Sequence, residues 1–289
     1  MKNTFVLLLG LLAFQAQCQS AKSNQILTDV QILASDSLEG RGTGTAGADK
    51  ARKYLIRRFE EIGLKPFESG FVQTFNVKEK PAQNLIGYVP GHTDSVIVVT
   101  AHYDHLGVKD GKIYYGADDN ASGVAGLLAM AQSIREGGAK HTFIFAALDA
   151  EEIGLKGAEA FLLSPPVDIR LIKLNINMDM IGHNDTDEIY AVGTYHYPQL
   201  IPVLEAVRKN SNITIKFGHD KPKDVQQDWT YSSDHGPFHK RSIPFVYFGV
   251  EDHADYHSPT DVFTNINQPF LIESVDTIVL FAKTADAQF

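Results

Sequence analysis

The sequence contains a single cysteine, Cys18, and fewer basic than acidic side chains. One thiol cannot form an internal disulfide or a cysteine metal cluster, so any metal or nucleophile chemistry must use oxygen and nitrogen donors. Lys and Arg number 26 against 35 Asp and Glu, a formal net charge of −9. This balance argues against the basic surface that nucleic-acid binding requires. The chain also lacks low-complexity tracts and internal repeats, which excludes fibrous and solenoid architectures.

The remaining composition is typical of one large globular domain. Hydrophobic residues make up 44% of the 289 residues and charged residues 21%, which excludes disorder and a small disulfide scaffold. A domain of this length buries about 75% of the surface that its unfolded chain exposes. We therefore expect residues 21–289 to form a single α/β domain.

The first twenty residues are typical of a secretory signal. Lys2 precedes an apolar run from Phe5 to Phe14, and small or polar residues follow up to Ser20. The apolar run is shorter than the roughly 20 residues of a membrane-spanning helix, so no membrane span is expected. We predict that residues 1–20 are cleaved and that the protein is secreted or periplasmic. Lipidation at Cys18 is the alternative.

Apolar periodicity predicts alternating helices and strands along the mature chain. Helices are predicted at 25–34, 46–62, 121–136, 155–163, 198–209 and 270–284. Strands are predicted at 70–77, 85–89, 96–101, 142–148, 171–178, 189–192, 213–217 and 245–248. This alternation predicts a three-layer α/β sandwich with a mostly parallel, mixed central sheet.

Groups of acidic side chains and histidines follow four of the predicted strands, and a fifth group opens a helix. They are residues 102–105, 116–120, 149–152, 175–179 and 255–258. Open α/β sheets bind ligands beyond the carboxyl ends of their strands, so we expect these groups to meet. Carboxylates gathered there raise one another's pKa unless cations lie among them.

Carboxylate and imidazole donors without thiolate favour Zn²⁺, with Mn²⁺ or Co²⁺ as substitutes. The donors are too many for one tetrahedral ion. Two ions about 3.5 to 4 Å apart, sharing one carboxylate and one water, would use them all. Such a pair would lower the pKa of the water toward about 7 and make it a nucleophile at neutral pH.

Five segments, in this order, resemble the two-zinc aminopeptidase family of secreted leucyl aminopeptidases and aminopeptidase Y. They are AHYDHLG (101–107), GADDNASG (116–123), the doublet at 151–152, NMD (177–179) and YHSPTD (256–261). An entry segment, SDSLEGRGTG (35–44), is also common in relatives. The resemblance covers nearly the whole mature chain and implies the phosphorylase/hydrolase-like zinc peptidase fold.

The resemblance implies a set of metal ligands and a catalytic base. One zinc would take His102, Asp179 and one oxygen of Asp118. The other zinc would take the second oxygen of Asp118, with the ligands Glu152 and His257. Glu151 would stay free of metal and act as the general base that takes a proton from a zinc-bridged hydroxide or water and returns it to the leaving amine.

Other residues are expected to support these ligands. Asp104 is expected to accept a hydrogen bond from the second ring nitrogen of His102. Asp119 matches the residue that forms a cis peptide with Asp118 in the family. Ser233 or its neighbour Asp234 would orient His257, or would cap the helix that follows.

Four aromatic residues are expected to line the pocket for the first substrate side chain: Tyr231, Phe245, Tyr247 and Tyr256.

Some alternative readings of single residues remain. His105 could replace His102 as a ligand, although the family pattern favours the first histidine. His253 and His257 are four residues apart but lack the glutamate of an H-E-x-x-H helix, so His253 is not expected to bind metal. Residues 42–47 satisfy G-x-G-x-x-G without the preceding buried strand of a dinucleotide site, and we interpret them as a turn.

These observations predict an exported, monomeric metallo-aminopeptidase that binds two zinc ions and acts on peptides with a free N-terminus. Two alternatives stay open. A glutaminyl cyclase of the same superfamily would use one zinc held by Asp, Glu and His. A non-catalytic binding module with the peptidase fold would keep the architecture without turnover.

Overall fold

The computed structural model describes residues 22–221 and 227–289. The predicted signal at 1–20, with Cys18, lies outside the described residues. Seven helices lie in the described ranges: α1 (22–33), α2 (Ala46–Ile62), α3 (Gly123–Gly137), α4 (Lys156–Leu163), α5 (Ile201–Arg208), α6 (His235–Lys240) and α7 (Gln268–Gln288). Within these ranges, none of the helices combines the length and the apolar character needed to span a bilayer.

Nine of the strands in these ranges form one mixed sheet, and two form a separate hairpin. The strands are β1 (Lys65–Pro66), β2 (Val72–Val77), β3 (Lys80–Val89), β4 (Val96–His102), β5 (Gly107–Lys109), β6 (Lys112–Tyr114), β7 (Thr142–Leu148), β8 (Ile172–Met178), β9 (Glu188–Val192), β10 (Thr214–Lys216) and β11 (Phe245–Gly249). The sheet order is β1-β3-β7-β4-β8-β11-β9-β10, with β2 beside β3, while β5 pairs with β6.

The central strand β4 is buried along its whole length, which explains its continuous apolar run. Its side chains alternate between two cores. Ile97 and Val99 pack in a core with residues of α1, α2, α3 and α7. Val96 and Val98 pack in a second core with residues of α4 and α6. Helices therefore cover both faces of the sheet, and the predicted three-layer α/β sandwich is confirmed.

The four central strands position the polar segments. Strands β7, β4, β8 and β11 are neighbours and run parallel, so their carboxyl ends meet at one edge of the sheet. Strand β4 ends at His102, which lies opposite Leu148 at the end of β7. The segments beginning at Asp149, Asp179 and Val250 leave this edge directly after β7, β8 and β11.

The structure differs from the prediction in a few elements. The hairpin β5–β6 and the short strand β1 were not predicted, and α6 was expected only in the alternative in which Ser233 or Asp234 caps the helix that follows. Helix α3 begins at Gly123 instead of residue 121, because residues Ala117–Ser122 form a wide turn that contains a cis peptide between Asp119 and Asn120. The sheet is mixed, as predicted, because β9 runs antiparallel to β11 and β3 runs antiparallel to β7.

Candidate active site

His102 lies at the end of β4 with its ring buried and its Nε2 atom facing two carboxylates. Nε2 is 3.2 Å from Oδ1 of Asp179 and 3.4 Å from Oδ1 of Asp119. On the other side of the ring, Nδ1 is 3.1 Å from the backbone carbonyl of Asp104. In the neutral ring, an Nδ1–H donated to this carbonyl leaves the lone pair on Nε2, which can then bind a cation.

The carboxylate of Asp104 positions the backbone after β7. Its Oδ1 lies 3.7 Å from Nδ1 of His102 and accepts a hydrogen bond from the backbone N–H of Glu151 at 3.1 Å. Its Oδ2 accepts from the hydroxyl of Thr43 at 3.1 Å and from the N–H of Glu152 at 3.4 Å. The acceptor for His102 is thus the Asp104 carbonyl, while the Asp104 carboxylate fixes the two glutamates.

Two groups of donors share this edge of the sheet. His102, Glu151 and Asp179 each offer one donor atom, and these atoms lie within 4.8 Å of one another. His105, Asp119 and Glu152 form a second group at the same spacing.

His257 joins the second group from the loop after β11. Its Nε2 is 3.1 Å from Oδ2 of Asp119 and 3.3 Å from Oε2 of Glu152. Because the other oxygen of Asp119 faces His102, the Asp119 carboxylate lies between the two groups.

Asp118 does not take this joining position. Its Oδ1 accepts from the backbone N–H of Gly182 at 2.7 Å, and its Oδ2 lies 3.1 Å from Nε2 of His253. The sequence predicted that Asp118 supplies one oxygen to each of the two zinc ions. The structure places the carboxylate of its neighbour Asp119 in that position instead.

The turn at Ala117–Ser122 explains why Asp119, and not Asp118, lies between the two donor groups. The carboxylate of Asp261 accepts from the N–H groups of both Asp118 and Asp119, at 2.9 and 3.0 Å. The cis peptide follows Asp119 and is not the predicted bond between Asp118 and Asp119. In this backbone conformation the two adjacent side chains leave the turn toward different neighbours.

His105 belongs to the cluster together with His102 and does not replace it. Its Nδ1 is 2.7 Å from Oε1 of Glu152, and its side chain is fully buried. Within the described ranges, neither this Oε1 nor either ring nitrogen of His105 is in hydrogen-bonding geometry with a partner. Buried polar atoms are rarely left unpaired. Facing imidazole and carboxylate donors fit a shared divalent cation, and a sulfur-free donor set suits zinc.

The charges in the cluster favour a positive charge between the two groups. Burial lowers the pKa of His102, but Asp179 and Glu151 outweigh it and raise that pKa well above its ordinary value. Hydrogen bonds to Asp119 and Glu152 raise the pKa of His257 to about 10. Cations are therefore stabilised where the sequence predicts metal.

Glu151 has a different environment from Glu152. Burial raises the pKa of Glu151 well above its usual range; His102 opposes this shift and Asp179 adds to it. For Glu152, burial and the repulsion of Asp119 raise the pKa, but the adjacent imidazoles of His105 and His257 outweigh them, so its pKa falls. One of the adjacent glutamates therefore holds a proton easily, and the other stays ionised.

Ser233 and Asp234 lie beside His102 and Asp179, and not beside His257. The Ser233 hydroxyl accepts from the amide of Asn177 at 2.9 Å. Burial raises the pKa of Asp179, while His102 and a hydrogen bond from Ser233 oppose that shift. Burial also raises the pKa of Asp234 to about 8. Neither predicted role is seen for this pair, because it lies at the end of the cluster that holds His102 and Asp179, and the side chain of Asp234 makes no capping hydrogen bond to α6.

A cleft of about 420 Å³ opens above the donors. Tyr231, Tyr247 and Tyr256 line it, and Tyr256 stacks on His257 with ring centroids 3.9 Å apart. Phe245 instead lies fully buried beneath the cleft, in an apolar cluster with Val192, Trp229 and Tyr247. Further lining residues that the sequence did not single out are Gly154, Leu155, Met180, Gln227, Trp229, Ser232, Val250 and Asp252.

Comparison with known families identifies this arrangement. Residues 84–282 match the family described as peptidase family M28. The chain belongs to peptidase family M28. The matched region contains His102, both donor groups and the cleft-lining loops, so the family assignment covers the site as well as the fold.

This M28 chain is also similar to individual curated proteins. It is 30% identical over 214 residues to aminopeptidase YwaD of Bacillus subtilis, covering 68% of this chain and 43% of that protein. The chain spans about half the length of the curated relatives it matches.

Two solved structures share the fold. The zinc aminopeptidase BSAP of Bacillus subtilis has a TM-score of 0.73 at 16% identity, covering 91% of this chain and 95% of that one. A glutaminyl cyclase of Bacteroides thetaiotaomicron has a TM-score of 0.71 at 18% identity, covering 89% and 96%. The shared architecture therefore does not choose between the activities named for these two structures.

Proposed function

We propose that the chain is an exported metallo-aminopeptidase that hydrolyses the N-terminal peptide bond of peptides at a two-zinc centre. Residues 21–289 form the catalytic domain, and residues 1–20 are a signal that is removed. One chain supplies every donor, so a monomer is sufficient. The observation that carries the proposal is the Asp119 carboxylate, which lies between two groups of donors at the floor of an open cleft.

The donors divide naturally between two ions. His102, Asp179 and one oxygen of Asp119 would hold the first. Glu152, His257 and the other oxygen of Asp119 would hold the second, with His105 beside them. When bound, zinc polarises the scissile carbonyl and lowers the pKa of a nearby water toward about 7.

Glu151 supplies the proton transfer. Its backbone is fixed by Asp104, and its carboxyl lines the cleft beside His102 and Asp179. A general base works best with a pKa near the operating pH, and burial moves the pKa of Glu151 upward in that direction. Glu151 therefore takes a proton from the attacking water and returns it to the leaving amine.

The composition of the cleft favours an exopeptidase over an endopeptidase. Its floor is rich in carboxylates, which attract the free α-ammonium group of a peptide. Its wall carries Trp229, Tyr247 and Tyr256, which offer apolar surface to the first side chain. We therefore expect preference for apolar or aromatic N-terminal residues. The similarity to aminopeptidase YwaD supports this activity.

The test replaces Glu151, the proposed base, which is not one of the ligands proposed for either zinc ion. Glu151→Gln should lower kcat on amino-acid anilides by about 10² to 10⁴, the usual contribution of general base catalysis, while zinc content stays at the wild-type value. Glu60→Gln, at an exposed position of α2, is the matched control and should retain full activity. Activity of Glu151→Gln within tenfold of wild type would exclude Glu151 as the base.

The glutaminyl cyclase alternative is tested with a peptide that begins with glutamine. An aminopeptidase releases free glutamine from this peptide. Formation of an N-terminal pyroglutamate, with no free amino acid and one zinc ion in the cleft, would replace the aminopeptidase proposal. Binding of peptides without any turnover in the zinc-loaded protein would favour a non-catalytic module.

A further inference from the structure

A second cluster of metal-type donors lies outside the cleft. It consists of His183, in the loop after β8, and of His253 and Asp255, in the loop after β11. Strands β8 and β11 are parallel neighbours, so their following loops leave the sheet side by side. Each of the three residues offers a donor atom, and these atoms lie within 4.8 Å of one another. None of the three lines the cleft.

The two imidazoles each keep one ring nitrogen without a hydrogen bond. Nδ1 of His183 and Nδ1 of His253 are buried, and neither has a hydrogen-bond partner in residues 22–221 and 227–289. The ring centroids are only 3.9 Å apart. Buried polar atoms are rarely left unpaired, so two unpaired imidazole nitrogens in rings this close together point to a shared partner.

Asp118 determines which nitrogen of His253 can act as a ligand. Its Oδ2 is 3.1 Å from Nε2 of His253 and can accept only if Nε2 carries the proton. In the neutral ring, Nδ1 then holds the lone pair. A carboxylate behind a histidine in this way is the usual arrangement of metal-binding imidazoles, since it fixes the tautomer and the ring orientation.

Asp255 completes the donor set, and its carboxylate is also held in place. Its Oδ1 accepts from the hydroxyl of Thr260, and its Oδ2 accepts from the amide of Asn265 at 3.2 Å. Oδ2 is 3.9 Å from Nδ1 of His183. The side chains of His183 and Asp255 remain 20% and 18% exposed, which leaves an approach from solvent.

We propose that His183, His253 and Asp255 form an additional binding site for a divalent transition metal such as zinc, separate from the cleft. Two imidazoles and one carboxylate are a common zinc ligand set with a fourth position open, and they suit calcium or magnesium poorly. Zn–N distances of about 2.0 to 2.1 Å place tetrahedral ligands roughly 3.4 Å apart. The donor atoms lie within 4.8 Å of one another, so they would have to move closer by up to roughly 1.4 Å to hold the ion.

The site would link the loop after β8 to the loop that carries His257. Asp118, behind His253, is also the neighbour of Asp119 in the cleft. An ion at this position therefore holds together two loops that frame the active site, and it does so without touching substrate.

The test counts zinc in the purified mature protein at a fixed concentration of free zinc, by equilibrium dialysis and elemental analysis. Wild type should bind one more zinc per chain than His183→Asn. The exposed His92→Asn is the matched control and should match wild type. Zinc ions bound in the cleft contribute equally to the counts of wild type and His183→Asn. The difference between the two counts therefore does not depend on the proposed aminopeptidase centre. Equal zinc counts in wild type and His183→Asn would overturn the site.

A second measurement does not depend on the folding of a variant. Crystals of the zinc-loaded wild-type protein, measured at the zinc absorption edge, should show an anomalous peak between Nδ1 of His183, Nδ1 of His253 and the Asp255 carboxylate. Absence of this peak would contradict the proposal. This holds whether or not the same map shows zinc in the cleft. Asp255→Asn should weaken zinc binding at this position by at least about tenfold, because it removes the charged ligand.

Discussion

At the scale of single residues, the neighbours Asp118 and Asp119 have the same side chain and different surroundings. One accepts from Gly182 and faces His253, while the other faces His102 and His257. The residue types needed for a metal centre could be predicted from the sequence, because few other chemistries gather so many carboxylates and histidines. The choice between adjacent aspartates could not, since it depends on how Asp261 holds the turn.

Exchanging each aspartate for asparagine separates their roles. Asp119→Asn removes a negative charge shared by both donor groups, so zinc content should fall and kcat/KM on amino-acid anilides should drop by more than about 100-fold. Asp118→Asn keeps every donor in the cleft and should cost about tenfold or less. The measurement is anilide hydrolysis with zinc analysis of the same samples. A greater loss in Asp118→Asn than in Asp119→Asn would reverse the assignment made here.

At the scale of elements, burial decided which parts of the fold were predictable. Strand β4 and its neighbours carry long apolar runs that only a buried sheet accommodates, and all four central strands were predicted. Helix α6 has the sequence HGPFHK, and its Gly236 and Pro237 are poor helix formers. Its formation depends on a tertiary contact, in which Phe238 packs against Phe161 of α4 with ring centroids 5.8 Å apart. No local pattern signals such a contact.

Arg41 connects several elements beneath the active site. Its guanidinium is fully buried and donates to the backbone carbonyls of Leu33, Tyr103, Tyr115 and Gly116, at 2.5 to 2.9 Å. These carbonyls belong to the end of α1, the segment after β4 and the segment that leads into Asp118. The burial of this cation lowers its pKa to about 10, although nearby carboxylates such as Asp261 oppose the shift.

Removing this guanidinium should destabilise the whole domain. Arg41→Met removes the guanidinium donor from all four carbonyls, of which Gly116 keeps the N–H of Ala121. A buried unsatisfied group costs about 1 to 3 kcal/mol, so the free energy of unfolding should fall by at least about 3 kcal/mol. Arg57→Met is the control, because the Arg57 side chain is 62% exposed and its ion pair contributes about 1 kcal/mol or less. Urea unfolding of both variants provides the comparison. Equal stabilities would show that Arg41 does not hold these segments together.

At the scale of the whole molecule, one edge of the sheet concentrates negative charge that the rest of the fold must tolerate. Asp119, Glu151, Glu152 and Asp179 gather there in two adjacent groups together with His102, His105 and His257. Bound cations relieve this repulsion and stabilise the folded state by mass action. The fold is shared with solved structures of different named activities, so the function depends on the donors at this edge and on the cleft above them.

The most direct test of this account measures peptide-bond hydrolysis and bound zinc in the same samples as the metal is removed and returned. Chelation followed by dialysis should abolish hydrolysis of amino-acid anilides as zinc leaves the cleft, and added zinc should restore both together. Hydrolysis that continues at the original rate in protein from which all zinc has been removed, with no other divalent metal bound, would contradict the central claim.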